Sequence, residues 1–206
     1  MLLFKSIMAS ELERFRKTLQ ENWRTIDLPF SSDTATRLGI YYSLLTRWND
    51  RLHLVAPCSP EEFATRHVLE SLMLLEHLPH GAKIADIGSG GGLPIIPCLI
   101  ARPDLEATLI ESSQKKTVFL REALREVGRK ATVIARRFED IEAPDVEFIT
   151  SRALDQFARK IPALFDWAPD GATFLLFGGE ELMEAERFLI PGSEKRYLYV
   201  RRDFRE

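Results

Sequence analysis

From residue 82 onward, short β-rich runs alternate with amphipathic helical stretches, and this alternation leaves the chain few architectures. "KIADIG" is followed by a helical run through Ile100, and "ATLIES" by one from Gln114 to Val127 that stops at Gly128; "ATVIA", "VEFIT" and "ATFLLF" continue the series. Parallel strands cannot be joined by tight turns, so strand–helix–strand units predict a mainly parallel α/β sheet covered on both faces. The last two apolar runs, "RFLIP" and "RYLYV", are separated only by "GSEK". Four residues are too few for a helical crossover, so these runs are expected to close the sheet as an antiparallel hairpin.

Before residue 80 the apolar residues recur at helical spacing in three segments, about 10–23, 33–52 and 60–79. "SELE", from Ser10 to Glu13, has the form of a capping box that would start the first helix. In "SPEE", Ser59 is the expected N-cap, Pro60 the first helical residue and Glu62 the partner that completes a second box. The expected organisation is an N-terminal helical segment, residues 1–80, packed on a main domain, residues 81–206.

The opening "MLLFKSIMAS" carries Lys5 and runs into charged sequence without a small-residue cleavage site, so no signal peptide is expected. No run approaches the ~20 apolar residues that a membrane-spanning helix requires. Two separated cysteines, Cys58 and Cys98, make neither a disulfide framework nor a CxxC pattern; a cytoplasmic location is expected. His77 and His80 have no third ligand near them in sequence, so no metal is expected.

"IADIGSGGGLPIIP", residues 84–97, falls where the first strand meets its helix, the place where doubly wound sheets bind nucleotides. Glycines let backbone approach a ligand, and a helix N-terminus offers free amides. A dinucleotide GxGxxG fingerprint needs glycine at position 93, which is Leu93. What stands instead is Asp86, Gly88, Gly90 and Gly92, an acidic strand tip and three alternating glycines. A carboxylate there suits a ligand with an ammonium or sulfonium, such as S-adenosylmethionine. Glu111, ending the second strand 23 positions after Gly88, is placed to take ribose hydroxyls.

These residues resemble the glucose-inhibited division protein B family, bacterial methyltransferases acting on N7 of a guanine in 16S ribosomal RNA. "DIGSGGGLPIIP" is similar to that family's glycine motif, "RWNDRLHL" and "RHVLESL" to motifs before it, and "LIESSQKKTVFL", "RRFED" and "TSRAL" to motifs after it. The resemblance implies a class I methyltransferase, Rossmann-like fold with the terminal hairpin reversed. It implies that Asp86, Gly88, Gly90 and Gly92, with Leu93 beside them, line the cofactor, and that Glu111 holds its ribose. Phe138 and Glu139 would meet the adenine through backbone groups. Arg152 would face cofactor or RNA and position the substrate, and Arg137 is a candidate of the same kind. The implied partner is 16S ribosomal RNA or the small ribosomal subunit, met by a monomer.

The net charge of −3 gives no global attraction for RNA, so a local patch has to supply it. Residues 114–137 hold eight basic side chains against Glu122 and Glu126, and "EKRYLYVRRDFRE" adds five. Lys115, Lys116 and Arg137 are the RNA-binding candidates; the alternative is a solvated helix face. Four positions depart from the family pattern: Ile95 replaces a glycine, His53 an asparagine, Val55 a threonine and Phe177 a lysine. They keep open a methyltransferase acting on another RNA or a small nucleoside, and a cofactor-binding protein without turnover. Trp48, on a stripe with Tyr41, Leu44 and Leu45, is expected in the core. Arg66, His67 and Glu70 lie on one helix side and are expected to brace the helical segment against the cofactor domain.

Overall fold

The structure, a computed structural model, describes residues 2–26, 28–152, 158–180 and 182–202, with side-chain detail from residue 9 except at 25 and 158. Five parallel strands are β1 (Lys83–Ile87), β2 (Glu106–Ile110), β3 (Thr132–Ile134), β4 (Phe148–Ser151) and β5 (Thr173–Gly178). The hairpin of β6 (Glu186–Leu189) and β7 (Tyr197–Arg202) completes the sheet in the order β3-β2-β1-β4-β5-β7-β6. β7 runs antiparallel to both of its neighbours, β5 and β6, and the short "GSEK" connection requires this of the β6–β7 pair. The order reverses at β1, so the crevice outside the carboxyl ends of β1 and β4 is the topological switch point.

Three helices precede the sheet: α1 (Leu2–Asn22), α2 (Ser32–Leu52) and α3, residues 60–77. Three more alternate with the strands: α4 (Ile95–Ala101), α5 (Gln114–Glu126) and α6 (Ile161–Trp167). The expected start at Ser10 is overturned, because α1 passes through that position from Leu2. Ser59 does cap α3, its hydroxyl accepting from the Glu62 amide at 3.1 Å, while the Glu62 carboxylate takes Arg66 at 2.9 Å. α6 has no counterpart among the expected elements.

Strand alternation divides the side chains between two faces. Ile84 and Leu175 point to the side where Phe15, Tyr41, Leu45 and Phe63 of the first three helices join one apolar cluster with Phe119 and Leu120 of α5. Ala85, Ile87, Phe174 and Leu176 point to the other face and pack with Leu164 of α6. Each large apolar side chain removed from water contributes about 1.5–3 kcal/mol, so the helices before residue 80 are anchored chiefly by shared burial. Trp48 packs against this cluster and meets Phe119 edge-on at a ring separation of 6.0 Å.

Candidate cofactor and acceptor site

The loop after β1 is shaped by three left-handed residues, with φ of 71° at Gly88, 51° at Gly90 and 81° at Gly92. Side chains other than glycine rarely adopt this conformation, which accounts for the alternate spacing. The positions differ in what surrounds them. A methyl group on Gly92 would strike Ile96, whose Cγ1 would lie at 2.8 Å, whereas one on Gly90 would meet only the Gly88 carbonyl at 3.6 Å. Gly92 is therefore required by packing, and Gly90 faces open space beside the loop.

Several amides of the loop and of the helix start, where free amides are expected, have partners within the chain. Gly88 and Ser89 donate to the Ile110 carbonyl, Gly92 to the Ser89 carbonyl and Ile96 to the Gly92 carbonyl. Gly90 donates to Glu111 Oε2 at 2.9 Å, and Ser113 to Glu111 Oε1 at 2.8 Å. Each oxygen of Glu111, which is 7% exposed, thus accepts one backbone amide and retains acceptor capacity. Two chain segments converge on this carboxylate, which fixes the second strand tip against the glycine loop.

Asp86 is completely buried, and neither carboxylate oxygen has a hydrogen-bond partner among the described residues. Burial pushes its pKa up to about 7; the adjacent Ser89 hydroxyl, which donates to the Asp86 backbone carbonyl at 3.0 Å, opposes the shift, and Glu111 nearby adds to it. A buried carboxylate without a donor is costly unless a cationic or donor group compensates it. This orphaned group, the open side of Gly90 and the anchored Glu111 fit a ligand that joins a cationic amino acid portion to a ribose.

The other candidates lie around the same sheet edge with different roles. Leu93, 8% exposed, turns into the core, and Ile95 at the start of α4 is fully buried. Phe138 is also buried, meeting Trp167 edge-on at 5.4 Å with Lys160 Nζ 5.7 Å from its ring centroid. Its side chain anchors a short turn, Phe138–Asp140, so only backbone remains at the edge, while Glu139 is exposed and pairs with Lys160 at 2.5 Å. Arg137 and Lys115 are exposed and Lys116 half-buried; none makes an ion pair among the described residues. With Arg136 they flank the carboxyl ends of β2 and β3. Other members of the basic run serve the fold: Arg129 donates to the carbonyls of Leu99 and Ile100, and Arg121 to that of Val133. Arg205 lies outside the described residues.

Arg152, expected to face cofactor or RNA, is directed toward α3. Its guanidinium donates to the carbonyls of Arg66 and His67, to Ser71 Oγ at 3.4 Å and to Glu70 Oε2 at 3.0 Å. The reason is burial: a guanidinium with 17% of its side chain exposed needs acceptors, and desolvation pulls its pKa down to about 10. Glu70 also receives both terminal nitrogens of Arg196, at 2.7 and 2.8 Å. One buried carboxylate thus joins α3, the end of β4 and the hairpin. The expected brace exists at Glu70, whereas the Arg66 side chain turns away to Glu62. Residues 63–69 of α3 form a widened π-helical stretch, a rare geometry that brings the Arg66 and His67 carbonyls to Arg152. Beside this network lies a pocket of about 210 Å³ walled by His67, Arg152, Phe177 and Arg196. Desolvation and the surrounding arginines hold His67 neutral, with its pKa lowered to about 3.

Sequence reasoning missed Tyr41 and Asn49, both on α2. Tyr41 donates to the Gly91 carbonyl at 2.5 Å, and Asn49 holds the Val55 backbone from both sides at 3.0 and 3.1 Å. The motif departures also acquire local explanations. His53 caps α2 with φ 48°, a conformation that favours asparagine, and is exposed. Ile95 is in the core and Phe177 is 4% exposed under Arg152.

Two solved structures share this architecture. A methyltransferase from Pyrococcus furiosus superposes with a TM-score of 0.57 at 11% identity, covering 82% of this chain and 99% of that one. An RNA methyltransferase from Salinibacter ruber, solved with S-adenosyl-L-homocysteine, gives 0.57 at 16% identity over 74% and 95% of the two chains. The fold is that of the class I methyltransferases. Residues 34–188 match the family model for rRNA small subunit methyltransferase G, GidB, and the chain belongs to that family. It is 41% identical over 163 residues to ribosomal RNA small subunit methyltransferase G of Gluconobacter oxydans, covering 75% of this chain and 82% of the relative. With the protein of the same name from Halorhodospira halophila it shares 37% over 180 residues, 85% and 86% of the two chains.

Proposed function

We propose that this protein is an S-adenosylmethionine-dependent methyltransferase that methylates N7 of a guanine in 16S ribosomal RNA. The observation that carries the cofactor reading is the joint between Gly90 and Glu111 beside the orphaned Asp86 carboxylate. The substrate reading rests on membership of a family described by its ribosomal RNA methylation. When bound, S-adenosylmethionine supplies an electrophilic methyl group on a sulfonium. Asp86 supplies negative charge near that cationic end, and Glu111 offers its remaining lone pairs to the ribose.

Guanine N7 has a free lone pair and no proton to lose, so transfer requires in-line approach and exclusion of water but no general base. Held by Asp86 and Glu111, the cofactor would supply the methyl group from its sulfonium and leave as a neutral thioether, with the positive charge passing to the base. Neutral His67 and the buried Arg152, both of whose terminal nitrogens are engaged, suit a pocket that orients a base without transferring protons. In this reading Arg152 positions the acceptor as a wall of the 210 Å³ pocket, braced through Glu70. Lys115, Lys116, Arg136 and Arg137 meet RNA phosphates on the other flank. The protein acts as a cytoplasmic monomer, with residues 1–80 as a helical cap on the domain of residues 81–206.

Calorimetry with S-adenosylhomocysteine and with NAD tests the cofactor, and tritiated methyl transfer to undermodified 16S ribosomal RNA tests the substrate. Binding of NAD alone would overturn the reading. Binding of S-adenosylhomocysteine without label on RNA would remove the ribosomal substrate and retain the cofactor site.

A further inference from the structure

Gly91 lies between the open face of Gly90 and the packed Gly92, and its carbonyl accepts the Tyr41 hydroxyl at 2.5 Å. Tyr41 belongs to α2, is fully buried and stands 50 residues before its acceptor. Leu45 and Leu54 wall the same glycine from outside the loop: a methyl group on Gly91 would lie in van der Waals contact with Leu45 Cδ1 and Leu54 Cβ, each at 3.4 Å. Leu54 is itself placed by the Asn49 clamp on Val55. The loop is thus held on two sides, by Glu111 at the Gly90 amide and by Tyr41 at the Gly91 carbonyl, with Gly90 open between them.

We infer that Tyr41 is a positioning residue for the cofactor, which it does not touch: its hydroxyl fixes the Gly91 peptide and so couples the N-terminal helices to the cofactor loop. A glycine-rich segment has more conformations to lose than any other, and an anchor made before the ligand arrives removes part of that cost from binding. The sheet holds the loop through its amides, Gly88 and Ser89 at the Ile110 carbonyl and Gly90 at Glu111, whereas the Gly91 carbonyl is held from the N-terminal helices by Tyr41. Such coupling is reciprocal: a ligand that orders the loop also steadies α2.

This inference rests on the cofactor reading of the loop. Tyr41→Phe removes the hydroxyl and keeps the buried ring. Calorimetry with S-adenosylhomocysteine is expected to show about tenfold weaker binding, the scale of one buried hydrogen bond, with the KM for RNA unchanged. Tyr42→Phe, one position along the same helix, is the comparison and is expected to retain wild-type affinity. A merely structural Tyr41 would lower the melting temperature without changing affinity for S-adenosylhomocysteine, and that result overturns the inference. Hydrogen exchange on the wild-type protein provides a second reading that does not depend on the variant folding. Adding S-adenosylhomocysteine is expected to slow exchange of α2 amides around residues 38–45 as well as the loop, and protection confined to the loop would overturn the coupling. Failure of the wild-type protein to bind S-adenosylhomocysteine would overturn the cofactor reading and this inference together, whereas unchanged affinity in Tyr41→Phe overturns the inference alone.

Discussion

Glu70 and Arg152 meet at 3.0 Å, 82 residues apart in the chain, and the same carboxylate holds Arg196. Glu70 is 6% exposed, so removing it takes the shared counter-charge from Arg152, which is 17% exposed and keeps only neutral acceptors, and from the more exposed Arg196. Glu70→Ala is expected to destabilise the protein by about 3–5 kcal/mol, the usual consequence of breaking a buried ion pair from one side. Urea unfolding followed by circular dichroism measures it; an unchanged midpoint would mean that both arginines regain water.

Substitutions at Gly90 and Gly92 are expected to separate binding from folding. Alanine at either position incurs about 1–2 kcal/mol for its left-handed backbone. Gly92→Ala adds a collision with the fully buried Ile96 and is expected to lower the melting temperature most. Gly90→Ala is expected to fold and to lose at least tenfold in affinity for S-adenosylhomocysteine, because its methyl group enters the open side of the loop. Equal affinity in wild type and Gly90→Ala would place the ligand elsewhere.

Asp86 and His67 give opposite pH dependences. Folded Asp86 holds a proton up to about pH 7, whereas an unfolded aspartate releases it near 4. Its contribution therefore falls as pH rises across that window. Folded His67 stays neutral down to about pH 3, whereas an unfolded histidine protonates near 6.5. Its contribution is present above that value and is lost as pH falls. The two slopes oppose each other between about pH 4 and 6.5. Compared with wild type, Asp86→Asn is expected to lose more stability on acidification through this range, and His67→Gln to gain. Chemical denaturation at half-unit pH steps checks both signs.

The four basic residues at the carboxyl ends of β2 and β3 are expected to set the salt dependence of RNA binding. Replacing Lys115, Lys116, Arg136 and Arg137 by glutamine should flatten the plot of log affinity against log salt by about 0.7 per lost phosphate contact. Binding of S-adenosylhomocysteine should be unaffected. A parallel plot with an unchanged slope would assign these residues to a solvated face.

The strands and the reversed hairpin were legible because they depend on local periodicity and on connection length. The "GSEK" link alone forces β6 and β7 to be antiparallel. α6 escaped notice because "IPALFDW" covers only two turns, too few to show a helical repeat. The start of α1 was misplaced because Ser10 can cap a helix only where no helix precedes it, and nothing in "SELE" states what precedes it. Ile95 looked like a change on the substrate side; its burial in the core shows a packing position instead.

The amino-acid sequence by itself determined the form of the loop proposed as the nucleoside cradle, because Asp86, the alternating glycines and Glu111 are held at strand tips by neighbours in the chain. Backbone conformation at Gly88, Gly90 and Gly92 is a local property, and local properties are written as residue spacing. Only the tertiary structure decided the roles of Tyr41, Glu70 and Arg152, whose partners lie 50 to 126 residues away. Packing brings those groups together, and burial then dictates which charges and hydroxyls must pair; neither is encoded in the spacing of any one segment.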